Sequence, residues 1–224
     1  MLDSSSNLRL FLDSPQQDTW QRLLPCGIFY GVTTNPKLLA QLGIPSTVPN
    51  LARLAHAAFD LGAQEIHLQV WGAETMSMLA VGRDLAAIDP RVSVKVPITH
   101  AGILCARQLI EEGAKVTLTA VHSAVQLLPV IALGAAYAAP YMGRMSDAGL
   151  DGLDEVLAMQ EMITRLASPT RLLVASIRQL PHLTTLARQG VDTFTLLPHL
   201  VEELLDNPLT DKAAAEFERK ARGE

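Results

Sequence analysis

Val92-Ser-Val-Lys-Val-Pro97 sets valines at 92, 94 and 96 in alternation with Ser93 and Lys95. A period of two marks a β-strand, with the valines on one face and the lysine on the other. A lysine on the inner face of a sheet or barrel is costly, because desolvation disfavours its charged form. The free amine that desolvation favours is the form that attacks a carbonyl to give a Schiff base. An edge strand that lets the lysine reach water is the competing reading.

The same periodicity recurs along the chain. Strand patterns occupy residues 8–13, 28–34, 65–70, 115–121, 137–141, 171–176 and 193–198. Arg9, Phe11 and Asp13 share a face of the first, His67 and Gln69 of the third, Thr117 and Thr119 of the fifth. Helical patterns fall between them, at 14–24, 47–61, 74–88, 100–112, 123–133, 153–167 and 181–189, with helical material from 200 to the end. Ser14-Pro15 reads as a helix start, Asn35-Pro36 as a strand stop, and Gly and Asp make 143–152 a loop. Pro129 inside a helix predicts a kink.

Eight strands alternating with helices, with no composition shift to mark a boundary, predict an α/β fold: a single (β/α)8 TIM barrel over 1–224, with 200–224 as a C-terminal helical extension. An open doubly wound sheet is the alternative, but no Gly-rich fingerprint follows the first strand.

Apolar residues make up 49% and charged residues 18% of the 224, enough for a sizeable core. The net charge of −5 without a block of like charges gives no footprint for nucleic acid or an anionic membrane, while local arginines can still bind a small anion. Cys26 and Cys105 are far apart and read as reduced, buried residues of a cytoplasmic protein. Met1-Leu-Asp-Ser-Ser-Ser-Asn7 lacks the pattern of a signal peptide. The apolar stretch 124–142, broken by Gln126, Pro129, Gly134 and Pro140, reads as a buried helix running into a buried strand. His67, His100 and His122 are scattered and suggest no metal site, and no cofactor is expected.

Active sites of such barrels sit at the C-terminal ends of the strands. Polar residues there are Asp13, Thr33, Thr34, Asn35, Gln69, Lys95, Thr119, Tyr141 and Ser176. Lys95 could capture a ketone as an iminium, with Asp13 taking the hydroxyl proton released on carbon–carbon cleavage. Gln69, Thr119 and Tyr141 could hold the water that forms and later hydrolyses the Schiff base. Arg144 and Arg178, beside Ser176, suit a phosphate. Each has a plainer role available: Asp13 as a helix cap, Thr33-Thr-Asn-Pro36 as a turn, Gln69 and Thr119 as a polar core layer, Arg144 paired with Asp147, Arg178 in solvent.

Taken together, Leu10-Phe-Leu-Asp13, Gly31-Val-Thr-Thr-Asn-Pro36, Val94-Lys-Val-Pro97, Thr119-Ala-Val121 with Gln126, Ala139-Pro-Tyr-Met-Gly-Arg144 and Ala175-Ser-Ile-Arg178 resemble the transaldolase family of class I aldolases, especially its short branch containing fructose-6-phosphate aldolase. The resemblance implies a Schiff base at Lys95, acid/base work by Asp13, donor-hydroxyl contacts from Asn35 and Ser176, and phosphate held by Arg144 and Arg178. It also implies a metal-independent reaction on sugar phosphates and dihydroxyacetone-type donors. A pentameric or decameric ring is often formed in this family, with the C-terminal helix packed on a neighbour. Gln69 and Tyr141 resemble the aldolase branch, where transaldolases carry Glu and Phe. Arg178 resembles the transaldolases instead, and the His122-Ser123 pair and His100 depart from the aldolase. Reversible cleavage of fructose 6-phosphate, transfer of a dihydroxyacetone unit, and a catalytically silent barrel are the three readings.

Overall fold

The computed structural model describes residues 7–223. The polar N-terminal stretch through Ser6 lies outside them, as does Glu224. The strands are β1 (Arg9–Asp13), β2 (Phe29–Thr33), β3 (Glu65–Gln69), β4 (Val92–Pro97), β5 (Val116–Val121), β6 (Tyr137–Pro140), β7 (Arg171–Val174) and β8 (Thr193–Leu196). Each pairs in parallel with the next and β8 pairs with β1, so the eight-stranded barrel closes in sequence order, as the alternation predicts.

The helices that position the site are α1 (Gln17–Leu23), α2 (Pro36–Gln41), α3 (Val48–Asp60), α4 (Thr75–Ala86), α5 (His100–Glu111), α6 (Leu127–Leu133), α7 (Met142–Asp147), α8 (Gly152–Arg165) and α9 (Leu180–Arg188). Two more, α10 (Pro198–Leu205) and α11 (Pro208–Ala221), form the C-terminal extension. The aliphatic rows of the strands, such as Leu12, Val32, Ile66 and Val94, are buried against the helix layer, in one core with Leu54, Leu79, Leu109 and Val156. Inside the barrel a separate apolar cluster of Phe11, Tyr137, Ala139 and Leu173 fills the axis. Gly31 is required where β2 meets β3, because a Cβ there would lie 1.9 Å from the Glu65 carbonyl oxygen.

Several sequence expectations are corrected. The strand stop at Asn35-Pro36 is also a helix start: Asn35 Oδ1 accepts from Leu38 N at 3.0 Å and Pro36 opens α2. Part of the loop expected over 143–152 is α7, followed by α8, whose first turn is capped by Asp151 accepting from Asp154 N at 3.0 Å. Pro129 makes no interior kink, because it is the third residue of α6, where a backbone N–H would lack a helical partner anyway. A 3₁₀ turn, Ala124–Gln126, precedes α6. The helical part of the apolar stretch is not wholly buried, with Val125 and Leu128 exposed. Cys105 is buried but Cys26 is exposed, and both are free. No helix among the described residues is long and apolar enough to cross a membrane.

The N-terminal half of the barrel interior is polar and closely accounted for. Lys115 Nζ donates to Glu65 Oε2 at 2.6 Å, and Glu65 Oε1 lies 2.7 Å from His67 Nε2. His67 Nδ1 meets Thr117 Oγ1 at 2.9 Å, which meets Ser93 Oγ at 2.8 Å. Since the carboxylate can only accept, the proton of neutral His67 belongs on Nε2, and Nδ1 accepts from Thr117. Arg9 bonds the Tyr137 hydroxyl and stacks 4.3 Å above the Tyr30 ring, closing the same layer.

Burial holds the His67 imidazole below its ordinary 6.5, helped by the Lys95 and Lys115 charges and opposed by Glu65. Burial raises the Glu65 carboxyl, but hydrogen bonds from His67 and Lys115 outweigh it and bring the group from 4.5 down to about 2. Unfolding therefore takes up a proton at His67 below pH 6.5 and at Glu65 below pH 4.5. Stability from the pair is complete above the first value and is lost in two stages as pH falls. Thermal melts are expected to show Tm declining below about pH 6.5 and again below about pH 4.5. In His67→Phe the first decline should vanish; an unchanged decline would show that His67 does not cause it.

Candidate active site

At the C-terminal ends of the strands the interior changes character. Lys95, 4% exposed, points into the barrel and its Nζ donates to the Thr34 carbonyl oxygen at 3.1 Å. The edge-strand reading therefore falls, because β4 is paired on both sides. Thr33 Oγ1 donates to Asp13 Oδ1 at 2.7 Å and lies 2.6 Å from Thr195 Oγ1. With the single Thr33 proton on Asp13, Thr195 is the donor in the second bond.

Asp13 does not cap α1; that helix starts at Gln17 without a side-chain cap, and Ser14 Oγ accepts from Gln16 N. The Asp13 carboxyl is held above its ordinary 3.8 by burial, opposed by the Lys95 charge, the Thr33 hydroxyl and the Arg144 charge. A raised carboxyl between an amine and a guanidinium is suited to exchanging a proton.

Gln69 is the register partner of Lys95 on the neighbouring strand. Its Oε1 is buried and has no hydrogen-bond partner among the described residues. An unmet buried acceptor costs about 1–3 kcal/mol, so this atom marks a place for a polar ligand group or a water. Thr119 Oγ1 donates to the Tyr141 hydroxyl oxygen at 2.9 Å, which leaves the tyrosine proton free for a further acceptor.

The Tyr141 ring has two neighbours. The Arg144 guanidinium carbon lies 4.8 Å from its centroid, and the His122 ring meets it edge-on at 5.5 Å and 75°. Asn35 spends its carbonyl oxygen on the α2 cap, leaving the amide NH2 as its donor for a ligand.

Ser176 takes the left-handed φ of 60°, and its carbonyl accepts from Gly143 N at 2.9 Å, docking the start of α7 on the chain after β7. A Cβ on Gly143 would lie 2.2 Å from that oxygen and 2.6 Å from Arg178 Nε, so glycine is needed. The pairing with Asp147 that was the plainer alternative for Arg144 belongs to Arg178, whose Nη2 donates to Asp147 Oδ2 at 2.7 Å. Arg178 is therefore exposed but not alone. Arg144 makes no salt bridge among the described residues.

The sequence reading missed Thr34 as the acceptor for Lys95, and Thr195. Thr193 and Thr195 alternate with Phe194 and Leu196, so their inward aim was readable; a backbone acceptor just past the end of another strand was not. Among the described residues no group of three or more His, Cys, Asp or Glu side chains could hold a metal ion.

Residues 10–223 match the family described as Transaldolase/Fructose-6-phosphate aldolase. A relative from Rhodospirillum centenum named "Probable transaldolase" is 36% identical over 211 residues, covering 94% of this chain and 89% of its own length. Relatives of the same name from Exiguobacterium sp. (33% identical, 94% of this chain, 95% of the relative) and Thermus thermophilus (35%, 94% and 96%) are similarly matched end to end.

The Asp13 carboxyl carbon, followed by NMR against pH, should titrate above 3.8. Lys95→Met removes the largest opposing influence and should move the midpoint higher still. A midpoint at or below the ordinary value, or one indifferent to Lys95, would contradict this electrostatic arrangement.

Proposed function

The chain belongs to the transaldolase/fructose-6-phosphate aldolase family and is an enzyme of the class I aldolase/transaldolase type; from that premise we propose that it catalyses reversible aldol cleavage of fructose 6-phosphate to dihydroxyacetone and glyceraldehyde 3-phosphate. Lys95 is the nucleophile: its amine adds to the C2 ketone, and loss of water leaves an iminium. Asp13 takes the proton of the C4 hydroxyl as the C3–C4 bond breaks, and the bonding pair flows into the iminium to give an enamine. Glyceraldehyde 3-phosphate leaves, the enamine is protonated at C3, and water hydrolyses the iminium to release dihydroxyacetone and the free amine.

Gln69, Thr119 and Tyr141 hold that water in this reading. Its strongest support is the Thr119–Tyr141 hydrogen bond, which leaves a tyrosine donor free, together with the unmet Gln69 oxygen, an acceptor; β5 and β3, which carry Thr119 and Gln69, flank the lysine strand. Thr33 aligns Asp13 through its 2.7 Å bond. Asn35 and Ser176 bind donor hydroxyls, and Arg144 and Arg178 bind the phosphate. The pairing of Arg178 with Asp147 is between exposed groups, worth about 0–1 kcal/mol, and so yields readily to a dianion.

Transfer of the dihydroxyacetone unit to an acceptor aldehyde is the second reading. It is favoured by the names of the relatives and by Arg178. The same enamine serves both; what differs is whether it is protonated at C3 and then hydrolysed, or first adds to an acceptor aldehyde. A silent barrel is set aside by the family assignment and by the buried lysine.

The C-terminal helices fit the ring assembly implied by the resemblance, a pentamer or decamer. Helix α11 buries no residue, and it exposes Leu209 and Phe217, eight positions apart and on one side of the helix.

Incubation with fructose 6-phosphate alone, without acceptor aldehyde, is expected to release free dihydroxyacetone. Turnover only in the presence of an acceptor, with the three-carbon unit recovered in a new ketose and no free dihydroxyacetone, would favour transfer. Tyr141→Phe should lower cleavage relative to transfer, by about tenfold if the tyrosine proton orients the water. An unchanged ratio would remove Tyr141 from that role.

A further inference from the structure

We propose that His122 is a positioning residue for this reaction, holding Thr119 and Tyr141 in the relative geometry that their hydrogen bond requires. The inference rests on the role given above to Tyr141. His122 lies just past β5 and is half-buried, beyond the set of residues assigned to the chemistry.

Two contacts carry the argument. The first fixes the strand end. Ala120, between Thr119 and Val121, has φ 61°, a left-handed conformation that a side chain disfavours. The register between β5 and β6 shifts at this point, so the ladder does not hold Ala120 in place by regular pairing. His122 Nδ1 lies 2.7 Å from the Ala120 carbonyl oxygen, and a carbonyl can only accept, so Nδ1 carries the proton. The His122 backbone N–H in turn donates to Gln126 Oε1 at 2.7 Å, tying the turn to the 3₁₀ segment behind it. The residue immediately after Thr119 is thus pinned by the imidazole.

The second contact fixes the tyrosine. The His122 ring meets Tyr141 edge-on at 5.5 Å, while Arg144 covers the ring at 4.8 Å. Edge-to-face contact is a preferred geometry for aromatic rings, and a guanidinium over the ring adds cation–π attraction. Tyr141 is therefore held by His122 and Arg144, with its hydroxyl on Thr119. One side chain thus acts on both halves of the water-holding pair, through a hydrogen bond to Ala120, the residue next to Thr119, and a ring contact with Tyr141 itself. This arrangement uses both features of an imidazole, the N–H and the flat ring, without any proton transfer to substrate.

The test measures kcat and KM for fructose 6-phosphate cleavage in His122→Ala, His122→Phe and His122→Asn. His122→Ala is expected to lower kcat about tenfold with KM within about twofold, since neither contact is to substrate. His122→Phe keeps the ring and His122→Asn keeps a donor near the Nδ1 position, and at least one should recover about threefold or more of the loss. In a Tyr141→Phe background, His122→Ala should cost much less than it does in the parent. Full kcat in His122→Ala, a KM that rises in step with the loss, or failure of both conservative variants to recover would each overturn the proposal. A slow Tyr141→Phe enzyme together with a full-speed His122→Ala enzyme would sink this inference alone. A Tyr141→Phe enzyme with unchanged cleavage would sink the Tyr141 assignment as well.

Discussion

A closed parallel barrel sends alternate residues of every strand into a dry interior, where each polar group must find a partner or cost free energy. This chain sends several there, including Glu65, His67, Ser93, Lys95, Thr117 and Thr119, all buried. The constraint divides the barrel in two. In the lower half the Lys115–Glu65–His67–Thr117–Ser93 chain meets each need in turn. In the upper half the same rule is broken at Gln69, whose oxygen has no partner among the described residues. The break falls beside Lys95, where a substrate and a water would sit.

The division also separates stability from chemistry. The lower chain holds a carboxylate that stays charged in the interior because a lysine and an imidazole bond it. The upper layer holds a carboxyl that burial pushes the other way, with only partial relief from Lys95, Thr33 and Arg144. Two acids in one barrel therefore have opposite properties, set by their neighbours. In the proposed reaction the one near the amine accepts and returns the proton.

Much of the barrel was legible because its signals are local. Alternation in 92–97 and 65–70 states which residues face inward, and the intervening helical patterns make the crossover topology. Helices α2 and α7 were not legible for a common reason: each is six residues long, too short to display a period, and each begins among turn-forming residues. Pro129 misleads because the sequence pattern puts a helix start at 123, whereas the α-helix begins at Leu127. At the site, the inward aim of Asp13, Gln69, Lys95 and Thr119 followed from strand parity. The partner of Arg178 did not, because Asp147 ends α7 while Arg178 follows β7, and their meeting depends on how α7 docks on Ser176. The Glu65–His67 pair carried a readable sign, two ionisable residues at i and i+2 on the inward face of one strand.

The central claim is covalent catalysis by the buried amine of Lys95. Its most direct test is reduction with borohydride in the presence of fructose 6-phosphate or dihydroxyacetone, followed by peptide mapping by mass spectrometry. The account predicts a reduced three-carbon or six-carbon adduct on the peptide containing Lys95, absent without borohydride and absent in Lys95→Met. Turnover of the same donor with no adduct trapped, or an adduct confined to Lys37 or Lys115, would contradict it.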